Sequence, residues 1–157
     1  MRISQSYLKV SIMNIPWYVT ALGAALIWGV HYPLVDFALK RVSVFSVLML
    51  TVLPIVLLMP VFMRDIARDL DAVRGLPGIE QGMIAAIGLT SLLGAVLLYL
   101  SIAGKNATLA SLIEITYPVF VAFFAYAIFR HVHVNASVIV GGLLVMAGAG
   151  LIIYNNQ

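Results

Sequence analysis

The chain has 157 residues, 63% of them hydrophobic and only 10% charged, with a formal charge of +3 and no cysteine. A soluble domain would be about 25% charged, so this is the composition of a polytopic membrane protein. It excludes a disulfide framework, thiolate chemistry and a zinc site of the Cys type, and the small, dispersed positive charge offers no tract for nucleic acid.

Residues 1–15, with Arg2 and Lys9, read as a polar-to-apolar lead-in. They carry the charge of a signal-peptide n-region. Asn14 and Pro16 interrupt the would-be apolar core, however, and the hydrophobic run continues past the small residues to Leu39. Cleavage is therefore not expected.

Five apolar runs follow, at 16–39, 44–63, 82–103, 107–129 and 137–154. Each is near the ~20 residues that cross a ~30 Å hydrocarbon core. The expected fold is all-α, with five transmembrane helices forming one domain over 16–155. The one long connection, 64–81, holds three Arg, three Asp and one Glu. Ile66, Leu70 and Val73 fall at i, i+4 and i+7, so a short helix could rest its apolar side on the bilayer, although a solvated amphipathic connector is the simpler and preferred reading. Gly75 and Pro77 would end it.

With five spans, the N-terminus and the 64–81 and 130–136 segments share one side, which holds Arg2, Lys9, Arg64, Arg68, Arg74 and Arg130. Lys40, Arg41 and Lys105 lie on the other. Six against three favours a cytoplasmic N-terminus in a cell membrane, of the bacterial inner-membrane kind. Two sequon-like triplets, starting at Asn106 and Asn135, fall on opposite sides and read as chance matches. Small residues recur at intervals of four (Ala21, Ala25, Gly29; Gly82, Ala86, Thr90, Gly94), and the last span is rich in glycine. Such stripes predict close helix packing. Trp17, Tyr18, Tyr99 and Tyr154 sit toward span ends, as interfacial anchors do.

Polar residues within the spans are the candidate site. The first span ends on the face where the fourth begins. At ~1.5 Å per residue, Glu114 lies roughly 10 Å from that face, His31 about 12 Å and Asp36 about 5 Å. A carboxylate inside the bilayer marks a functional site by default. Each candidate also has a structural reading. Glu114 can be a neutral carboxyl with Thr116 or Tyr117 as neighbours, and His31 a neutral imidazole bonded to its surroundings. Asp36 can be a solvated partner of Lys40 at i+4. Pro33, Pro54 and Pro118 shape kinks or are tolerated among neighbouring helices. His131 and His133 lack a third ligand at metal spacing, so they are read as surface residues. There is no P-loop, GxGxxG, HExxH or GxSxG. No enzyme activity, metal or cofactor is expected, and an ATP-driven pump is excluded within the chain.

The segment Asn106-Ala107 through Ala110-Ser111-Leu112, then Tyr117-Pro118-Val119-Phe120, a short polar loop, and Ile139-Val140-Gly141-Gly142 through Gly148 resembles the second half of an EamA domain. Trp28-Gly29 through Pro33 to Lys40 resembles its opening helix. EamA domains belong to the drug/metabolite transporter superfamily. The resemblance spans residues 17–154 and implies secondary export or exchange of a small metabolite from a site inside the bundle. On that basis Glu114, His31, Tyr117, Asp36 and Trp28 are the candidate substrate- or proton-binding residues. Many family members carry a Glu where this chain has Arg130 and His131, so no role is transferred there.

The usual family transporter has two five-span repeats of opposite topology, and alternating access needs both halves. One repeat therefore implies a homodimer, antiparallel if the chain inserts both ways, or a partner membrane chain. The leading expectation is a small, proton-linked secondary transporter of a polar or cationic metabolite, embedded in membrane lipid and acting as a dimer. The competing ones are a non-transporting scaffold subunit of a larger complex and a flippase-like carrier of a lipid-linked substrate.

Overall fold

The computed structural model describes residues 16–130 and 135–156. The lead-in at 1–15 and the histidines at 131 and 133 lie outside the described residues. Six helices follow in order: α1 (Trp17–Leu39), α2 (Val44–Arg74), α3 (Gly78–Gly104), α4 (Ala107–Glu114), α5 (Tyr117–Phe129) and α6 (Ala136–Asn155). Together α4 and α5 make one span, so five segments are long and apolar enough to cross a membrane. The described fold is all-helical, as the composition required.

Helix starts follow local chemistry. Ser43, Asn106 and Asn135 are N-caps, each accepting from a backbone N–H three residues on. This gives a physical use to the two sequon-like asparagines, since Asn and Ser are favoured at that position. Gly75 follows α2, and the Gln81 amide covers the Arg74 and Leu76 carbonyls at 3.3 and 2.8 Å.

The separate amphipathic helix expected at 64–81 does not form. Instead α2 continues unbroken through the charged segment to Arg74, and α3 begins at Gly78 rather than Gly82. Nothing between Met63 and Gly75 breaks a helix. The i,i+3 pairs Arg68–Asp65 and Arg74–Asp71 support it along that stretch. Of the three apolar residues expected to face lipid, Ile66 and Val73 are half-buried on a helix that packs along α3.

Packing concentrates at one end of the bundle. Val35 of α1, Val47 and Leu48 of α2, Tyr99 and Ile102 of α3, and Ala107 and Ala110 of α4 form the core. All adjoin the face where α1 passes to α2 and α3 passes to α4. At the same face Lys105 Nζ donates to the Asn156 carbonyl at 2.8 Å, tying the start of α4 to the end of α6. That contact fits the alternating up-and-down course of five spans. In contrast, α5 buries no residue.

The small-residue stripes behave differently from expectation. A Cβ built on Gly29, Gly82, Gly94, Gly141 or Gly148 would meet nothing within 4 Å. Only at Gly142 does a neighbour close in, with Val119 Cγ2 at 3.3 Å from the added atom. Within this bundle, then, α5 and α6 make the one glycine-dependent approach, and the other stripes lie open.

Candidate functional site

Glu114 ends α4, and the span breaks there for an identifiable reason. Pro118 has no N–H to offer the Glu114 carbonyl four residues back, and its ring would crowd that carbonyl. The chain takes a tighter turn instead. Ile115 N–H donates to Ser111 O at 3.0 Å, and Thr116 N–H and Oγ1 both donate to Ile113 O at 3.1 and 2.9 Å. Pro118 then sits in the first turn of α5, where proline is tolerated. Non-helical backbone at membrane depth is allowed only where protein or a polar cavity surrounds it.

The Glu114 carboxylate is half-buried and accepts from the Tyr32 hydroxyl, with Oη to Oε2 at 2.7 Å. That length is ordinary for an O–H···O hydrogen bond. Tyr32 is flanked on its own helix by Trp28, ring centroids 5.5 Å apart. Tyr117 is 59% exposed.

His31 does not join Glu114. One residue earlier on α1, it points instead toward α3 and α2. Its Nε2 lies 3.3 Å from Tyr99 Oη, which lies 3.1 Å from Thr51 Oγ1. Trp28 packs edge-on against the His31 ring at 5.0 Å. The depth count was sound for the pair of helices, since α1 and α4 meet at this level. The contact, however, is made by Tyr32. Asp36 takes the bland reading. It is ion-paired with Lys40 at 2.9 Å on the helix surface, apart from this cluster.

Three residues of the cluster were not singled out by sequence. Tyr32 stood beside His31 in an apolar run, and Thr51 had no charge to mark it. Tyr99, expected as an interfacial anchor, is 3% exposed and belongs to the core. Its position near a span end suggested the interface. The α1–α2–α3 packing buries it, and two polar partners satisfy its hydroxyl. The usable signal was depth, because a phenol placed level with a histidine on another helix is a candidate partner.

The arrangement is a carboxylate with one hydroxyl partner, aromatic faces beside it and a broken helix underneath. It can bind a proton or a cation in exchange for the tyrosine hydrogen. Among the described residues no group of three His, Asp or Glu side chains could hold a metal ion.

No curated protein and no solved structure shows a significant match to this chain. The EamA-like transporter family matches it over residues 15–154, which takes in all five spans and the Glu114 discontinuity. Members of that family are membrane transporters of the drug/metabolite type rather than enzymes. Its order of spans and the extent of this match make the chain a multi-pass membrane protein that belongs to the EamA-like transporter family.

Proposed function

We propose that the chain is a small proton-linked secondary transporter of a polar or cationic metabolite, working as a dimer in the cell membrane, with a cytoplasmic N-terminus in a bacterial inner membrane. The observation that carries this reading is the Tyr32–Glu114 bond at the break between α4 and α5. Discontinuous spans with a polar group at the break are how secondary transporters build sites within the bilayer. A carboxylate that holds only a hydroxyl hydrogen can exchange it for a proton or an ammonium donor. The faces of Trp28 and Tyr32 suit an organic cation, which aromatic rings attract electrostatically. In this reading Glu114 binds proton and substrate in turn, Trp28 and Tyr117 contact the substrate, and His31 contributes a second ionisable group. Asp36 belongs to the rim.

The dimer is supported by the open side of the bundle. No residue of α5 is buried, and a Cβ added at Gly29 of α1 or at Gly82 or Gly94 of α3 would meet nothing within 4 Å. A second five-helix unit of opposite insertion would cover them and complete the paired architecture that alternating access needs. An unrelated partner chain would cover the same surface and make this a scaffold subunit, so composition after mild-detergent purification separates the two.

Flux in proteoliposomes under an imposed pH gradient tests the transport reading. Glu114→Gln is expected to abolish pH-driven flux. Full, pH-dependent flux in that variant would overturn the assignment.

A further inference from the structure

The hydrogen-bond chain through His31 has a fixed direction, because one of its members has no choice. Thr51 Oγ1 lies 2.7 Å from the Val47 carbonyl one turn back on α2. A carbonyl only accepts and a hydroxyl has one hydrogen, so the Thr51 hydrogen is committed to Val47. Tyr99 must then donate to Thr51 Oγ1 across 3.1 Å. With its single hydrogen used, Tyr99 Oη can only accept from His31 Nε2 at 3.3 Å. The sequence of donors is therefore His31 Nε2–H, Tyr99 O–H, Thr51 O–H, ending on a backbone carbonyl.

This direction divides the imidazole into two halves. Nε2 carries a hydrogen in the neutral ring and is tied to the α1–α2–α3 packing. Nδ1 carries the lone pair, and among the described residues no hydrogen bond reaches it. His31 also lines a crevice of about 180 Å³ between α1 and α2, with Leu34, Ala38, Val47, Leu50 and Thr51. Glu114, which is bonded to Tyr32 of α1, does not line that crevice.

We infer that His31 Nδ1, the ring nitrogen left without a hydrogen bond among the described residues, is a proton-accepting site separate from the Glu114 site. Adding a proton there leaves Nε2–H in place, so the imidazole gains charge without breaking any bond of the chain to Tyr99 and Thr51. The chain itself is a dead end for protons, since the Val47 carbonyl cannot pass one on. The titratable groups around the ring are Tyr99 from α3 and Tyr32 on its own helix, with Glu114 of α4 reached by way of Tyr32. The membrane-spanning part of α2 brings none before Arg64. As a second ionisable group for exchange, this site rests on the transport reading above, but its atom assignment does not.

The test uses the full-length chain, ¹⁵N-labelled at histidine, in lipid nanodiscs, with His31→Gln to assign the His31 signals against His131 and His133. At alkaline pH the Nε2–H tautomer is expected, and on acidification Nδ1 should take the proton while the Nε2–H signal persists. A neutral ring protonated at Nδ1, or a ring that stays neutral down to the lowest pH at which the protein remains folded, would overturn the inference. Two further variants separate packing from proton uptake. The Gln side chain places its amide near Nε2 and the Asn side chain near Nδ1. His31→Gln should keep thermal stability close to the parent and lose the titration, whereas His31→Asn should lose stability. The reverse order would assign the free nitrogen to Nε2 and sink the proposal. Loss of flux in Glu114→Gln with an unchanged His31 titration would support both readings. An absent titration with intact transport would remove only this one.

Discussion

Tyr32 of α1 donates its phenolic hydrogen to Glu114 Oε2 of α4 across 2.7 Å, joining residues 82 apart in the sequence. The bond holds the first span against the broken one at the level where the helix discontinuity begins. Its two ends are expected to respond differently to substitution. Tyr32→Phe keeps the ring and removes the donor, and should cost about 1–3 kcal/mol, the range for leaving a buried hydrogen-bonding partner unsatisfied. Glu114→Gln keeps a carbonyl oxygen that Tyr32 can still reach, so it should remain folded while losing pH-driven flux. Thermal unfolding of both variants in detergent, alongside liposome flux, checks the contrast. Equal destabilisation would show that the carboxylate matters to packing alone.

Pro118 sets the break after Glu114. Replacing it with alanine restores an N–H that can reach the Glu114 carbonyl, and allows α4 and α5 to join. Proline is about 3 kcal/mol less favourable than alanine inside a helix. It already sits in the tolerant first turn of α5, so Pro118→Ala should gain less than that. The expected result is a higher thermal midpoint with slower flux. A variant that is both more stable and fully active would mean that the discontinuity is not used in transport.

Tyr99 is the middle of the chain from His31 to Thr51, and its hydroxyl is enclosed by three helices. Tyr99→Phe should lower stability by roughly 1–3 kcal/mol, the cost of leaving buried polar partners unsatisfied. A double-mutant cycle with Thr51→Val should show non-additivity, because the second substitution removes a partner already orphaned by the first. Strict additivity would argue against the contact.

Asp36 and Lys40 offer a control. Their ion pair is on the surface, with the lysine side chain 67% exposed, so Lys40→Ala should change stability by less than about 1 kcal/mol. Flux in Lys40→Ala should match the parent under the same gradient.

Arg130 closes α5 in a left-handed conformation, φ 57° and ψ 20°, which is unusual outside glycine. Arg130→Gly should therefore be neutral or stabilising by up to about 1 kcal/mol, offset by loss of the guanidinium stacked 5.6 Å from the Tyr126 ring. A large loss of stability on thermal unfolding would mean that the ring contact dominates.

Span number and helical class were legible in the sequence because they depend on one-dimensional quantities, namely run length and charge. Contacts were not. Which of two adjacent α1 residues meets Glu114 is decided by 100° of helix rotation, which depth cannot report, so His31 was favoured where Tyr32 makes the bond. Tyr99 was misplaced for a related reason, since nearness to a span end does not say whether a side chain faces lipid or other helices. The extent of α2 was missed because charged residues were taken to end the helix. Charge alone does not do that, and no proline or glycine occurs between Met63 and Gly75.

The length of α2 has a mechanical consequence. Its Val44 end is clamped in the core through Val47 and Leu48, while its charged end beyond Met63 is exposed apart from half-buried Ile66 and Val73. At ~1.5 Å per residue its 31 residues span about 46 Å, some 16 Å more than the hydrocarbon core. The helix is thus a lever with its fulcrum near the face shared by Tyr99 and Thr51. A tilt of about 10° would swing Arg74 sideways by about 7 Å at that rise per residue, and α3, joined to it by a short turn, would be carried along. Movements too small to see beside His31 would be magnified at the hairpin tip, where a spin label on Arg74 would read them.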